Sequence, residues 1–307
     1  MTKQTRMVRL TTAAQDRPAA VPRRLIPLGA LLLLCTTAQA GVLFQDGFDY
    51  AAGANLYGSG GNWNGSSGVN STAITVSNAN LSWTGLADLP GADSASVASL
   101  NAGGQQNAAT FASQTLAGGG AVYASFLLDY TSLLNGYNQN YTLAGLLPTG
   151  ASYSSTGDPC DLAIQSLSKD GTYFNLGIRT ANGVGAVYGS TPVTLLTNTI
   201  NFIVIKYDFS TKKASVYIDP TSLGGDDPQT PNVITGVNTG TANDLSQFYI
   251  RAGGNALVSP NINAPFLIDD VRVGTTWADV TPVPEPSTLA MMGLGGMALG
   301  FWRRLFR

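Results

Sequence analysis

The sequence predicts an all-β fold, a two-sheet antiparallel β-sandwich flanked by two terminal targeting segments. Residues 41–280 are rich in Gly, Ser, Thr and Asn, and short β-branched or aromatic runs alternate there with turn clusters. No stretch with helical periodicity of useful length occurs outside the two chain ends. About 240 residues also fit the size of a single β-sandwich domain, so we expect one domain over residues 41–280.

Nine segments have the composition and alternation of strands. In chain order they are Val42–Phe48, Ala121–Tyr130, Tyr141–Leu147, Leu162–Leu167, Phe174–Arg179, Asn201–Phe209, Ala214–Ile218, Gln247–Ala252 and Phe266–Val273. The clearest unit is Asn201–Asp219, where two alternating runs flank a polar turn at Ser210–Lys213 and predict an antiparallel hairpin. The glycine triplet Gly118–Gly120 precedes a strand rather than a helix, so it predicts a turn and not a phosphate loop.

The N-terminal 40 residues have the pattern of a secretory signal peptide. Arg23 and Arg24 precede the apolar run Leu25–Cys35, and small residues then mark the edge of the segment. We expect signal peptidase to cleave before Gly41, with Ala38 and Ala40 as its recognition residues.

The C-terminal segment 281–307 combines a proline-rich motif, an apolar run over 287–302 and a basic tip over 303–307. The motif residues are Val283, Pro284, Glu285 and Pro286. Both prolines disfavour helix in the residue before them, so Glu285 should lie in extended backbone suited to a protease cleft. Arg303 and Arg304 in the tip predict a cytoplasmic C-terminus, and the run is short for a single membrane helix, which takes about 20 residues.

These C-terminal residues resemble the PEP-CTERM sorting signal of Gram-negative surface proteins. The resemblance implies processing by an exosortase-type membrane protease, with the chain held transiently in the inner membrane and then released to the cell surface or extracellular matrix. The alternative is a permanent tail anchor.

Charge and composition exclude several function classes. Residues 41–280 hold seven Lys and Arg against sixteen Asp, a net charge of −9, whereas the whole chain has −2. Such a surface repels nucleic acid but is compatible with calcium, with neutral polysaccharide or with solubility alone. Cys160 is the only cysteine of the domain, so it forms no internal disulfide.

The chain also lacks the usual catalytic groups. It contains no histidine, and its only glutamate is Glu285 in the sorting segment. Histidine-dependent nucleophiles and general bases are therefore impossible. We expect no enzymatic activity, no catalytic or metal-binding residues and no cofactor.

A second resemblance concerns the domain. Leu43–Tyr50, the hairpin Asn201–Asp219 and Phe266–Gly274 resemble LamG-like, concanavalin A-type jelly rolls. The resemblance implies that the first and last strands pair side by side. Glycoside hydrolases of the laminarinase type on this fold use two glutamates along one strand, which this domain cannot supply.

Aspartates are the remaining candidates for chemistry. Asp269 and Asp270 could form a carboxyl pair, but adjacent strand residues point to opposite faces, so we expect these two to bind backbone amides instead. The same alternation places Asp269 on an apolar face with Leu267, Val271 and Val273, where a charge requires a partner. Calcium has six candidate ligands: Asp46, Asp49, Asp226, Asp227, Asp269 and Asp270.

Sugar binding has five candidate aromatic residues in Gly/Asn/Ser-rich segments: Trp63, Trp83, Tyr137, Tyr153 and Tyr188. Burial as core residues is the alternative for each. The sequence therefore favours an exported, non-enzymatic envelope or extracellular-matrix protein that binds polysaccharide or other matrix components. The alternatives are an Asp-dependent polysaccharide-cleaving enzyme on the same fold and a structural module without a ligand.

Overall fold

A computed structural model describes residues 41–59, 63, 74–91, 93–97, 105–131, 140–151, 158–168, 170–180, 185–189, 193–228, 230–234, 243–252 and 266–284. All of them belong to one compact unit, Gln39–Arg307. The predicted signal peptide with Ala38 and Ala40, the motif residues Glu285 and Pro286, the apolar run 287–302, and Arg303 and Arg304 lie outside the described residues.

The described residues form fourteen strands, one 3₁₀ turn at Leu116–Gly118 and one short helix, α1, at Trp277–Val280. The strands are β1 Val42–Asp46, β2 Ile74–Ser77, β3 Ser94–Val97, β4 Gln105–Thr115, β5 Ala121–Tyr130, β6 Asn140–Leu147, β7 Cys160–Ser166, β8 Tyr173–Arg179, β9 Leu195–Leu196, β10 Ile200–Asp208, β11 Lys213–Ile218, β12 Val233–Ile234, β13 Asp244–Ala252 and β14 Phe266–Gly274.

The strands make two antiparallel sheets. Sheet A has the order β12-β11-β10-β5-β14-β3-β2, with β1 also paired to β14, and sheet B has the order β4-β13-β6-β7-β8-β9. All nine predicted strands are present, so the predicted two-sheet sandwich is confirmed. β1 pairs with β14 from Val42 opposite Gly274 to Asp46 opposite Val271, as the jelly-roll resemblance implied.

The predicted hairpin is strands β10 and β11, paired from Ile203 opposite Ile218 to Asp208 opposite Lys213. Its turn lies one residue earlier than predicted, because Asp208 Oδ1 accepts hydrogen bonds from the amides of Ser210 and Thr211 at 2.9 and 2.8 Å. Lys212 closes the turn at a φ of 54°. The side chain of Asp208 thus fixes where the chain reverses.

Two apolar clusters stabilise the sandwich. The larger one fills the space between the sheets, where aromatic side chains such as Phe126 and Phe248 pack 5.8 Å apart. The smaller one covers the outer face of sheet A and contains Leu81, Leu86, Tyr123, Leu127, Phe202, Val204, Tyr217, Trp277 and Val280. The loop 81–89 and α1 therefore lie on that face, and they bring the C-terminal end of the domain onto sheet A.

Candidate functional site

A pocket of about 470 Å³ opens beside α1 on the outer side of sheet A. We call it the Asp227 pocket. It is lined by Tyr123, Gly225, Asp226, Asp227, Thr275, Thr276 and Trp277. Strand β5 supplies the tyrosine, the loop after β11 supplies the glycine and the aspartates, and the junction of β14 with α1 supplies the rest.

The carboxylate of Asp227 is the centre of the pocket's polar network. Its Oδ2 accepts from Lys206 Nζ at 2.7 Å and from the Tyr123 hydroxyl at 3.0 Å, and its Oδ1 accepts from the Tyr217 hydroxyl at 2.8 Å. The Lys206 ammonium also lies 5.2 Å from the centre of the Tyr123 ring. The two charges compensate each other, and the two phenols hold the carboxylate in one orientation.

Aromatic packing makes the wall of the pocket rigid. The ring of Trp277 contacts Tyr217 and Tyr123 edge to face, at centroid distances of 4.9 and 6.3 Å. Burial, reinforced by the Asp227 carboxylate, raises the pKa of Tyr217. Burial also raises the pKa of Tyr123, against the opposing effect of Lys206. Both phenols therefore stay protonated and keep donating to Asp227 at neutral pH.

The pocket offers hydrogen-bonding groups rather than a stacking surface, because Trp277 is only 2% exposed. Asp226 is an exposed acceptor, and the Thr275 and Thr276 hydroxyls can donate and accept. Neutral, hydroxyl-rich molecules satisfy this set of groups. A bare cation would have to compete with Lys206 for Asp227.

The six aspartates proposed as calcium ligands do not come together. Asp226 and Asp227 line the pocket, whereas Asp46 binds Phe48 N, the Tyr50 hydroxyl and Trp63 Nε1 at 2.6 to 2.7 Å. No group of three or more His, Cys, Asp or Glu suited to a metal ion occurs among the described residues.

The structure around Asp269 and Asp270 differs from the predicted strand alternation. A β-bulge between Asp269 and Arg272 in the pairing of β14 with β5, with Asp270 at a φ of 52°, interrupts the strand alternation. Val271 and Val273 therefore face the main core, whereas Leu267 packs on the outer cluster. The expectation that Asp269 shares a face with both valines was wrong, because a bulge inserts one residue into the period of two.

Both carboxyls bind the loop that covers sheet A. Asp269 accepts from the amides of Leu81 at 2.9 Å and Asp270 at 2.7 Å, and Asp270 accepts from the amide of Leu89 at 2.9 Å. The expected amide-binding role is confirmed. Arg272 lies 3.7 Å from the Asp270 carboxylate and donates to the carbonyl of Ala87 in the same loop. These side chains therefore hold the loop 81–89 in place.

A buried ion pair on the outer face of sheet B was missed from the sequence. Asp161 is 1% exposed, and its Oδ2 accepts from Arg179 Nη2 at 2.5 Å while its Oδ1 accepts from the Tyr249 hydroxyl at 2.5 Å. Burial raises the pKa of Asp161, and the Arg179 guanidinium opposes that shift. The two charged residues are directly opposite in the β7–β8 register, so a hairpin prediction over 160–179 would have paired them.

The predicted sugar-binding aromatics differ in position. Trp63 is 1% exposed and stacks on Phe48 at 5.6 Å, so it is a core residue. Trp83 packs on the outer cluster of sheet A, and Tyr188 lies against Gly177, where a β-carbon would come within 2.7 Å of its ring. Tyr137 and Tyr153 lie outside the described residues.

Cys160 is buried, and burial raises the pKa of its thiol.

The chain leaves the domain through a tightly bonded segment after α1. Thr276 and Asp279 form a capping box at the start of the helix. At its end the amide of Gly224 donates to the carbonyl of Thr281 at 2.7 Å, and the amide of Ala87 donates to the carbonyl of Pro282 at 2.8 Å. Val283 is 48% exposed, and Pro284 is exposed too. The backbone is therefore fixed up to residue 282 and accessible from residue 283.

In the part of the chain described, no helix has the length and apolar character needed to cross a membrane.

Comparison with known proteins gives one sequence match and several fold matches. Residues 282–304 match the PEP-CTERM protein-sorting motif. No curated protein is detectably similar in sequence to the chain.

Among solved structures, the Emp47p carbohydrate recognition domain is 11% identical, with 76% of this chain and 97% of that one covered and a TM-score of 0.39. Lectin II from Ulex europaeus is 14% identical over 68% and 95% of the two chains, with a TM-score of 0.37. The carbohydrate esterase vb_24B_21 from the Shiga toxin-encoding bacteriophage phi24B is 14% identical over 67% and 91%, with a TM-score of 0.40. Likeness at this level assigns neither a ligand nor an activity.

A PEP-CTERM motif implies export and processing at a membrane. In this chain it begins at the residue where the bonded segment after α1 ends. The chain therefore carries a PEP-CTERM protein-sorting motif at residues 282–304, directly behind a two-sheet antiparallel β-sandwich.

Proposed function

We propose that this chain is an exported, non-enzymatic envelope or extracellular-matrix protein that binds neutral polysaccharide through the Asp227 pocket. Signal peptidase removes residues 1–40, and an exosortase-type membrane protease processes the C-terminal segment after a transient stay in the inner membrane. The observation that carries the export part of the proposal is that the sorting motif becomes exposed at Val283, immediately after a domain whose backbone is bonded up to Pro282.

The charge and chemistry of the pocket support a neutral, hydroxyl-rich ligand. The domain's net charge of −9 disfavours anionic polymers, while the Lys206–Asp227 pair gives the pocket a compensated centre. Asp226 and the two threonine hydroxyls provide acceptors and donors of the kind that sugar hydroxyls need.

Catalysis by the pocket's aspartates is the alternative. Hydrolysis of a glycosidic bond needs one carboxyl as acid and a second as base or nucleophile. Asp227 already accepts three hydrogen bonds, one of them from an ammonium, and this favours a fixed anion over a proton donor. Release of reducing ends from the bound polysaccharide, lost on Asp226→Asn or Asp227→Asn, would support the enzyme instead.

Binding is tested with the mature chain, a soluble neutral glucan and an anionic polysaccharide such as alginate. Asp226→Ala removes an exposed acceptor of the pocket, and loss of a hydrogen bond to a charged group should weaken glucan binding about tenfold or more. Asp49→Ala removes an exposed aspartate outside the pocket and serves as the matched control. Equal affinity of both variants, or preference for alginate, would contradict the assignment.

Sorting is tested with the full-length chain in a Gram-negative host that has an exosortase. Glu285→Ala should change the mass and the location of the mature protein, whereas Ser287→Ala in the same segment should change neither. An unaltered mass and location for Glu285→Ala would exclude a role of the motif in processing.

A further inference from the structure

The residue that follows the predicted signal-peptidase site lies against the carboxyl group of Asp279. Gly41 pairs with the end of β14, since its carbonyl accepts from the amide of Thr275 at 3.1 Å. A β-carbon on Gly41 would come within 2.7 Å of Asp279 Cγ and 2.9 Å of Oδ1. Since the nitrogen of a residue lies about 2.5 Å from its own β-carbon position, the Gly41 nitrogen is within about 5 Å of the carboxyl carbon.

Only glycine fits at this position. Gly41 has a φ of 143°, which L side chains rarely adopt, and any side chain would collide with Asp279. Gly274, next to it across the strand pair, would collide with the Asp279 β-carbon in the same way. Two glycines thus bring the backbone of the first and last strands into direct contact with one carboxyl group.

Asp279 has hydrogen bonds but no cation. Its Oδ2 accepts from the amides of Thr276 at 2.8 Å and Thr275 at 3.2 Å. None of the ion pairs found between described residues involves Asp279. In the precursor, the Gly41 nitrogen near this carboxylate belongs to the peptide bond between Ala40 and Gly41 and is uncharged.

We propose that removal of the signal peptide forms an ion pair between the new α-ammonium group of Gly41 and the carboxylate of Asp279. Hydrolysis of the peptide bond between Ala40 and Gly41 consumes one water, leaves a carboxylate on Ala40 and gives Gly41 a free amine, which is protonated at neutral pH. The pair connects the mature N-terminus to the capping box of α1, the helix from which the sorting segment leaves. The proposal rests on the signal-peptide cleavage that forms part of the proposed function.

The test uses the mature chain exported from the full precursor in a Gram-negative host, with its N-terminus determined by mass spectrometry. An N-terminus other than Gly41 would overturn the ion pair and the cleavage site together, and would leave the glucan test of the pocket unaffected. With Gly41 in place, ¹³C reductive methylation and NMR titration give the pKa of the α-amine.

We expect this pKa about one pH unit above the usual value of roughly 8, because a carboxylate within a few ångströms favours the charged amine. Asp279→Asn keeps an oxygen acceptor for the capping box and should remove the shift, whereas Asp49→Asn should retain it. In the unsubstituted chain, high salt should lower the raised pKa by screening the pair. An unshifted pKa, or the same shift in Asp279→Asn, would overturn the proposal.

Discussion

Replacement of Asp269 by asparagine tests how the domain responds to burial of a carboxyl group. Asp269 is 2% exposed and accepts two backbone amides, one of them from the loop 81–89. Burial, which outweighs these two hydrogen bonds, raises the pKa of Asp269 from 3.8 to about 7. An asparagine of the same shape cannot ionise, and it keeps one of the two acceptor oxygens, a loss that does not depend on pH.

The sign and size of the effect follow from proton linkage. Between about pH 4 and 7 the folded chain keeps a proton on Asp269 that the unfolded chain releases, so the free energy of unfolding falls as pH rises through this window. A shift of about 3 pH units corresponds to about 4 kcal/mol lost by pH 8. Asp269→Asn removes this loss, so its stability relative to the unsubstituted chain should increase by up to about 4 kcal/mol between pH 4 and 8.

Urea unfolding of the mature chain, followed by tryptophan fluorescence at pH 4, 6 and 8, measures this difference. Asp49→Asn, at an exposed position, should change the free energy of unfolding by less than about 0.5 kcal/mol throughout. A difference between Asp269→Asn and the unsubstituted chain that stays constant with pH, or shrinks as pH rises, would refute the reasoning.

Three further substitutions probe other parts of the structure. Arg179→Leu should destabilise the chain by about 3 to 5 kcal/mol in urea unfolding, because it removes the cation that is hydrogen-bonded to the buried Asp161 carboxylate; a loss below about 1 kcal/mol would contradict this. Gly41→Ala in the mature chain should cost about 1 to 3 kcal/mol through collision of the new methyl group with Asp279, and a double-mutant cycle with Asp279→Ala should recover part of it. Thr281→Val removes the hydroxyl that donates to the Trp277 carbonyl, while the Gly224 amide keeps its bond to the Thr281 carbonyl; it should cost about 1 to 2 kcal/mol in urea unfolding, and a loss below about 0.3 kcal/mol would contradict the contact's role.

The sequence predicted the strands that bury β-branched and aromatic residues. Strands β10 and β11 were recognisable because their alternation and the polar turn agree. Strand β4, by contrast, has the sequence Gln-Gln-Asn-Ala-Ala-Thr-Phe-Ala-Ser-Gln-Thr, which has few apolar residues of any size. It is a strand because β13 pairs with it from Ala252 to Asp244. β2, β3, β9 and β12 have only two to four residues, too few for a periodic pattern.

The candidate site was predictable only in part. Asp227 was named only as one of six candidate calcium ligands, and Tyr123 lies 104 residues away in the chain and meets it only because β5 and β10 are neighbours. The bulge at Asp270 could not be predicted from the sequence. Its positive φ occurs where β14 changes its pairing partner, from β3 at Phe266–Ile268 to β1 at Val271–Gly274. Local pattern cannot predict such a change.

The position of the Asp227 pocket next to the start of the sorting segment has a mechanical consequence. Thr275, Thr276 and Trp277 line the pocket, and the exposed part of the chain begins at Val283. Tension between a polymer held in the pocket and a membrane-held tail would be transmitted through α1 and the hydrogen bonds of Thr281 and Pro282. Because Tyr123 of β5 also lines the pocket, part of the load would reach sheet A, whereas no residue of sheet B lines the pocket.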